Sequence, residues 1–375
     1  MKRSLIERLL ATLRLGNADA SLAFEPWSDA DTVGLLPLLQ HEGAELWFYR
    51  RVQQNKVVVP DVLKAELRLA AQRVSIINMR IDAQTIAVTS RLNDASISWA
   101  LLKGQARRAA IARFPNADAR QVSDVDLLVP KDQAQQAWQL LVAAGFRRVI
   151  DGPVEWSADH HLPTLIDDNN VAVELHTTTS MAIAPEEAWR RVTTEAVAVE
   201  WSEIQTTVPS ATELVWQALA HGAADGAEGF LLKAFLSVAA ILATDPKLDW
   251  VRIERRMKAS EVLDNDTGEP VSEERLRRFF AIAADLAGIT LPASLTPQHR
   301  AQHASLLRWR ATVLTASHRR DVRERLLEEG TRVEAFLPIT PYVRNAGAWP
   351  NLRRRLGSVA ARIAYYSWRA WGARR

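Results

Sequence analysis

Val122-Ser123-Asp124-Val125-Asp126-Leu127-Leu128-Val129-Pro130 alternates acidic and aliphatic residues and closes on a proline. Alternation with period two reads as a β-strand, and the proline bounds it. Side chains at i and i+2 of a strand share a face, so the carboxylates of Asp124 and Asp126 point the same way. A pair of that kind suits a hard cation, because Mg²⁺ takes one or two carboxylates together with substrate phosphates and waters. The spacing alone is a weak signal, since chance supplies about one Asp-x-Asp in a chain of this length. Asp264 and Asp266 are a second instance, in a loop with no supporting context.

The neighbours of the first pair strengthen it. Upstream, Ile97-Ser98-Trp99-Ala100-Leu101-Leu102 reads as a short strand that runs into Lys103-Gly104 and a helix over Gln105 to Arg113. Free backbone N–H groups at such a helix start favour phosphate. A loop holding Pro115-Asn116-Ala117-Asp118 leads back to the acidic strand. Downstream, the spacing predicts a helix from Lys131 to Ala144, ended by Gly145, and strands over Phe146 to Ile150 and Val171 to His176. The last of these offers Glu174. Three carboxylates on adjacent strands, beside a glycine turn, are the parts of a two-metal phosphoryl or nucleotidyl transfer site. Strands alternating with helices place a small α/β unit between residues 97 and 208.

These residues resemble the nucleotidyltransferase superfamily built on the DNA-polymerase-β-type palm, and more narrowly a bacterial group of uncharacterised nucleotidyltransferases. The resemblance rests on Leu102-Lys103-Gly104, Arg120, Asp124-Val125-Asp126, His160-His161 and Glu174-Leu175-His176, with softer matches at His221 and Asp249-Trp250. It covers residues 30 to 290 and is specific over 101–176. It implies an α+β fold, with a palm-type mixed sheet flanked by N- and C-terminal helical regions. It also implies roles: Asp124, Asp126 and Glu174 as catalytic ligands of two Mg²⁺ ions, with Glu174 helping to deprotonate the acceptor. Lys103, Gly104, Arg120 and Ser123 would bind the nucleotide and its phosphates, and His161 and His176 would contact substrate or support the metal ligands. Gln105 departs from the pattern, standing where the superfamily commonly has a second Gly or a Ser that touches phosphate.

The ordinary readings of the same residues compete. An acidic strand edge, an exposed strand carboxylate and surface cations are all common. His160, His161 and His176 with Asp159 fit no tight zinc spacing. His221, among Leu214, Ala218 and Leu219, reads as a core residue. The 13 tryptophans are scattered rather than spaced as a stacking platform.

The flanks read as helical. Residues 1–95 form an N-terminal helical region whose clearest element runs from Pro60 to Asn93, with Leu63, Leu67, Ala70, Val74, Ile77, Ile81 and Ile86 at helical spacing. Residues 96–208 form the palm. Residues 209–335 form a C-terminal helical region, opened by the capping box Ser210-Ala211-Thr212-Glu213. In it Trp250, Ile253 and Met257 share one face, as do Leu276, Phe279 and Phe280. Residues 336–375 form a basic tail. The 375 residues are 48% hydrophobic and 24% charged, which excludes a disordered or fibrous chain. With no cysteine, disulfides and thiol chemistry are excluded. No secretion peptide is legible, and Phe230 to Ala243, broken by Lys233, is too short to span a bilayer, so the expected location is cytoplasmic.

Charge is distributed unevenly. Of the net +3, eight charges are arginines after Glu334, where no acid follows; subtracting them leaves −5 for residues 1–334. Leu352, Leu356, Val359 and Ile363 line one face of an amphipathic basic helix there. It can dock on the chain's own acidic body, on an anionic membrane surface or on an acidic partner. The expectation is therefore an enzyme that moves NMP from a nucleoside triphosphate to a hydroxyl of a small molecule or a peptide or protein. An extended nucleic acid is not expected as partner, because the body carries no basic groove. A toxin-like enzyme acting on tRNA and a catalytically silent palm-fold scaffold are the alternatives.

Overall fold

The computed structural model describes residues 3–15, 27, 32, 35–54, 57–110, 120–149, 161–201, 204–224, 232–244, 247–264 and 268–297. His160, Asp159, Asp266, the loop over Pro115 to Asp118 and the basic tail lie outside the described residues. The chain divides into two compact units, Met1–Leu314 and Thr315–Arg375.

In the first unit, helices α1 (Arg3–Leu13), α2 (Leu35–Glu42) and α3 (Glu45–Gln53) lead to the 34-residue α4 (Asp61–Asp94). Pro60 precedes α4, as the sequence predicts. The buried stripe of α4 includes Leu63, Leu67, Ala70, Val74, Asn78, Ile81, Thr85, Val88 and Leu92. The Thr85 and Thr89 hydroxyls donate to the carbonyls of Ile81 and Thr85, which lets polar groups sit in that stripe. Its outer face leaves Val62, Leu69, Ile76 and Met79 in solvent.

The sheet has the order β1-β2-β5-β4-β3. The strands are β1 (Ala100–Leu101), β2 (Asp124–Leu128), β3 (Arg147–Arg148), β4 (Leu165–Ile166) and β5 (Ala172–His176). β2 and β5 run parallel at its centre and the other pairs are antiparallel, the mixed sheet expected of an α+β palm. Val125, Leu127, Val173 and Leu175 enter the main core, while Leu128 joins Ala100, Leu102 and Val192 in a small cluster on the acidic face. Between β1 and β2 lies α5 (Lys103–Ala109); between β2 and β3 lies α6 (Lys131–Ala143), after which Gly145 turns the chain with φ +97°.

The helix α7 (Pro185–Thr193) and the hairpin β6 (Val197–Trp201) with β7 (Ile204–Val208) follow. Neither was expected from the sequence, and the strands expected over 97–102 and 146–150 shorten to two residues each. Helices α8 (Ala211–Ala224), α9 (Leu232–Leu242), α10 (Trp250–Lys258) and α11 (Glu273–Ala287), then a short 3-10 turn over Ala293–Leu295, follow among the described residues. The Ser210 hydroxyl accepts from Glu213 N at 3.3 Å, one half of the expected capping box, while the Glu213 carboxylate turns to Arg256 instead of back to Ser210 N. His221 is exposed, not part of the core: on α8 it falls outside the apolar face that packs on α9. Buried apolar residues run continuously from Leu9 through Leu127 to Leu286, so helical flanks and sheet share one core. Among the described residues no helix is long and apolar enough to cross a membrane.

Candidate active site

The register between β2 and β5 assembles the site. Asp126 stands opposite Glu174 and Leu128 opposite His176, so Asp124, Asp126, Glu174 and His176 project from one face of two parallel strands. One ligand atom each from Asp126, Glu174 and His176 lies within 4.8 Å of the others. The carboxylates of Asp126 and Glu174 therefore converge.

Cations hold the carboxylates together. Lys103 Nζ lies 2.8 Å from Asp126 Oδ1 and 3.7 Å from Glu174 Oε2. The turn from β1 into α5 gives Lys103 φ +44°, a left-handed backbone uncommon outside glycine that it shares with Ser96, Asn170 and Ser260. His176 Nε2 lies 2.8 Å from Asp126 Oδ1 and 3.5 Å from Glu174 Oε2. Both neighbours are carboxylates that accept, so this nitrogen carries the proton. Thr164 Oγ1 donates to Glu174 Oε1 at 3.4 Å, and the His161 ring crosses His176 edge-on at 5.4 Å between centroids.

These contacts set the protonation states. Burial alone would raise Asp126; Lys103 and the hydrogen bond from His176 outweigh it and hold the carboxyl well below the usual range. Glu174 is also held down, burial being outweighed by His176 and Lys103. Asp124 goes the other way. Burial, then the charges of Asp126 and Glu174, push it up against the Lys103 ammonium and a hydrogen bond from Ser123. For His176, burial and Lys103 favour the neutral ring, yet its carboxylate partners raise its pKa.

Gly104 is buried, and a Cβ there would meet Val122 Cγ1 at 2.9 Å, so close packing of α5 on the start of β2 demands glycine. Gln105 turns away from the acids and donates to Thr85 Oγ1 of α4 at 2.5 Å. Its departure from the superfamily pattern is therefore a helix-packing feature. Arg120 donates to Ser237 Oγ at 3.1 Å, and its carbonyl accepts from Asn78 Nδ2 at 3.0 Å. Asn78 Oδ1 in turn accepts from Val122 N at 2.9 Å, fixing the approach to β2. Ser123 is exposed beside Asp124. Asp264 of the second Asp-x-Asp accepts from Arg275 Nη1 at 2.8 Å, a structural ion pair.

The sequence reading missed three residues here. Asn78 sits on the buried stripe of α4 four residues after Val74, where a lone polar residue was the available signal. Thr164 had none. Arg107, one turn beyond Lys103 on α5, is 5% exposed; Asp126 and Asp124 attract it while Arg120 repels it. Converging carboxylates, an imidazole N–H and the cations Lys103 and Arg107 make a site that can hold a metal ion and a polyanion.

No curated protein matches the chain. Among solved structures, an antigenic nucleotidyltransferase-like protein from Paracoccidioides brasiliensis matches with 13% identity and a TM-score of 0.27, covering 44% of this chain and 74% of its own. The family model for uncharacterised nucleotidyltransferases matches residues 28–265, well over half the chain and the whole of the sheet that carries the carboxylates. The chain belongs to that family of nucleotidyl-transferring enzymes.

Proposed function

We propose that the chain moves a nucleoside monophosphate from a nucleoside triphosphate to a hydroxyl of a small molecule or of a peptide or protein, releasing pyrophosphate, with two Mg²⁺ ions. The observation that carries this is the convergence of Asp126 and Glu174 on adjacent parallel strands. The donor set fits a hard ion: with His176 Nε2 engaged as a donor, carboxylate oxygens remain, and Mg²⁺ prefers oxygen. Asp124, Asp126 and Glu174 would hold it. When bound, Mg²⁺ supplies charge neutralisation on the triphosphate and acidifies the acceptor hydroxyl.

The remaining work falls to the chain's own groups. Glu174, whose side chain is 20% exposed against 2% for Asp126, faces the acceptor and takes its proton. Lys103 neutralises Asp126 until substrate arrives and then turns to the phosphates, which Arg120 and Ser123 also contact, Gly104 letting the backbone approach. His176 and His161 orient the carboxylates. The acidic body supports an acceptor other than an extended nucleic acid, and the basic tail supplies a separate docking element.

The test is incubation with each labelled NTP and cell extract, comparing wild type with the double variant Asp124→Ala/Asp126→Ala. Label should pass to an acceptor only with the wild type. Equal NTP turnover and Mg²⁺ binding by the double variant would remove the assignment. Co-purifying tRNA released by salt would redirect it to tRNA modification.

A further inference from the structure

Among the described residues, three arginines are nine-tenths or more buried: Arg8, Arg107 and Arg256. Arg8 lies over the Trp27 ring at 4.5 Å, and Arg256 donates to Glu213 at 2.6 Å. Arg107 makes no hydrogen bond and no ion pair among the described residues. Its neighbour Arg108 forms a two-pronged pair with Asp82 of α4, so the lack is not a property of the helix. A guanidinium keeps its charge at neutral pH, and burying a charge without a counter-ion is expensive.

The surroundings show what would compensate it. Arg107 lies four residues after Lys103, hence on the same face of α5. It is close enough to Arg120 for their charges to repel, and close enough to Asp124 and Asp126 to be attracted. Neither carboxylate closes on it, and Asp126 is engaged by Lys103 and His176. Lys103 and Arg107 thus lie beside the carboxylate cluster, with Arg120 next to Arg107, and among the described residues Arg107 closes on no anion.

We propose that Arg107, with Arg120, seats the β- and γ-phosphates of the nucleotide and stabilises pyrophosphate as it leaves. The proposal rests on the nucleotidyl-transfer reading. In that reaction the acceptor oxygen bonds to the α-phosphorus, and the bond from that phosphorus to the bridging oxygen breaks. The electron pair goes to pyrophosphate, and the acceptor proton goes to Glu174. Negative charge therefore grows on the group that Arg107 would face, where a fixed, largely buried cation acts strongly. The planar fork of arginine suits two phosphate oxygens at once, which a lysine cannot reproduce.

The experiment measures binding of inorganic pyrophosphate with Mg²⁺ by calorimetry, the melting temperature without ligand, and labelled transfer. It compares wild type with Arg107→Met, Arg107→Lys and Arg108→Ala. Arg107→Met should weaken pyrophosphate binding about 10- to 100-fold and raise the ligand-free melting temperature. Arg107→Lys, which keeps the charge and the fold, should fall between it and wild type, and Arg108→Ala should bind as wild type does. Unchanged binding in Arg107→Lys and Arg107→Met would overturn the proposal, as would Arg107→Met melting lower with no loss of affinity. If wild type transfers label yet binds no pyrophosphate, only this proposal falls; if it does neither, the nucleotidyl-transfer reading falls with it.

Discussion

In the C-terminal helices, Glu213 of α8 and Arg256 of α10 are both almost sealed from water. They meet at 2.6 Å, with the guanidinium also 5.6 Å from the centre of the Trp216 ring. Around β2 the ingredients are the same and the arrangement is different. Asp124, Asp126 and Glu174 crowd one face of two adjacent strands, Lys103 neutralises part of their charge, His176 donates a hydrogen bond, and Arg107 is buried with no partner among the described residues. A pair that closes on itself is a structural device. Charges that the protein leaves mutually unsatisfied store affinity for something outside the chain. Under the proposed function that something is a metal-bound polyphosphate.

The largest test of this contrast is Asp124→Asn. Burial and two neighbouring carboxylates already disfavour the ionised form of Asp124, so a neutral amide should stabilise the ligand-free protein by about 0.5–2 kcal/mol. NTP turnover should meanwhile fall at least about 1,000-fold, close to 4 kcal/mol of transition-state stabilisation. Calorimetry and labelled transfer read the two effects, and retained turnover would remove Asp124 from the reaction. Glu213→Ala should do the reverse. It leaves Arg256 buried and unpaired, costing about 3–5 kcal/mol of stability, with turnover per folded molecule unchanged. Replacing both partners, Glu213→Leu with Arg256→Met, should recover most of that loss in denaturant titration, which a functional pair would not allow.

The contrast also explains what could be read in advance. The acidic strand was legible because β2 is central, with one face in the core and the other lined by carboxylates. The long helix was legible from Pro60 and its apolar period. By contrast β4 is two residues long and exists because β5 pairs with it. Helix α7 had signals that went unread, with Pro185 at its start, acids in its first turn and arginines in its last. The alternation of the β6–β7 hairpin was equally available. Arg107 was not legible from sequence at all. Arg107-Arg108 looks like a surface pair, and only the packing of α5 turns one inward while the other pairs with Asp82.

That packing gives the next effect in size. Gly104→Ala would bring a Cβ to 2.9 Å from Val122 Cγ1, and overpacking of this kind costs about 1–3 kcal/mol. Because α5 also carries Lys103 and Arg107, the same displacement should lower turnover. Adding Val122→Ala makes room and should restore part of both in paired melting and transfer assays. Stability restored without activity would mean that Gly104 serves the phosphates through its backbone as well as the packing.

The smallest effect comes from how helices begin in the two regions. Helix α11 starts with Ser272 accepting from Arg275 N at 3.3 Å, and Glu273 and Glu274 fill its first turn. Helix α5 starts after Leu102, with no side-chain cap and no acid in its first turn. Ser272→Ala should therefore cost about 1 kcal/mol, the usual worth of a cap, and leave turnover per folded molecule untouched. An acid introduced at the start of α5, such as Gln105→Glu, should not stabilise in return. Gln105 is fully buried against Thr85, and a carboxylate there would be desolvated. If melting curves showed Gln105→Glu to be stabilising, the site helix would be short of a cap, and its bare start would need no explanation in terms of substrate.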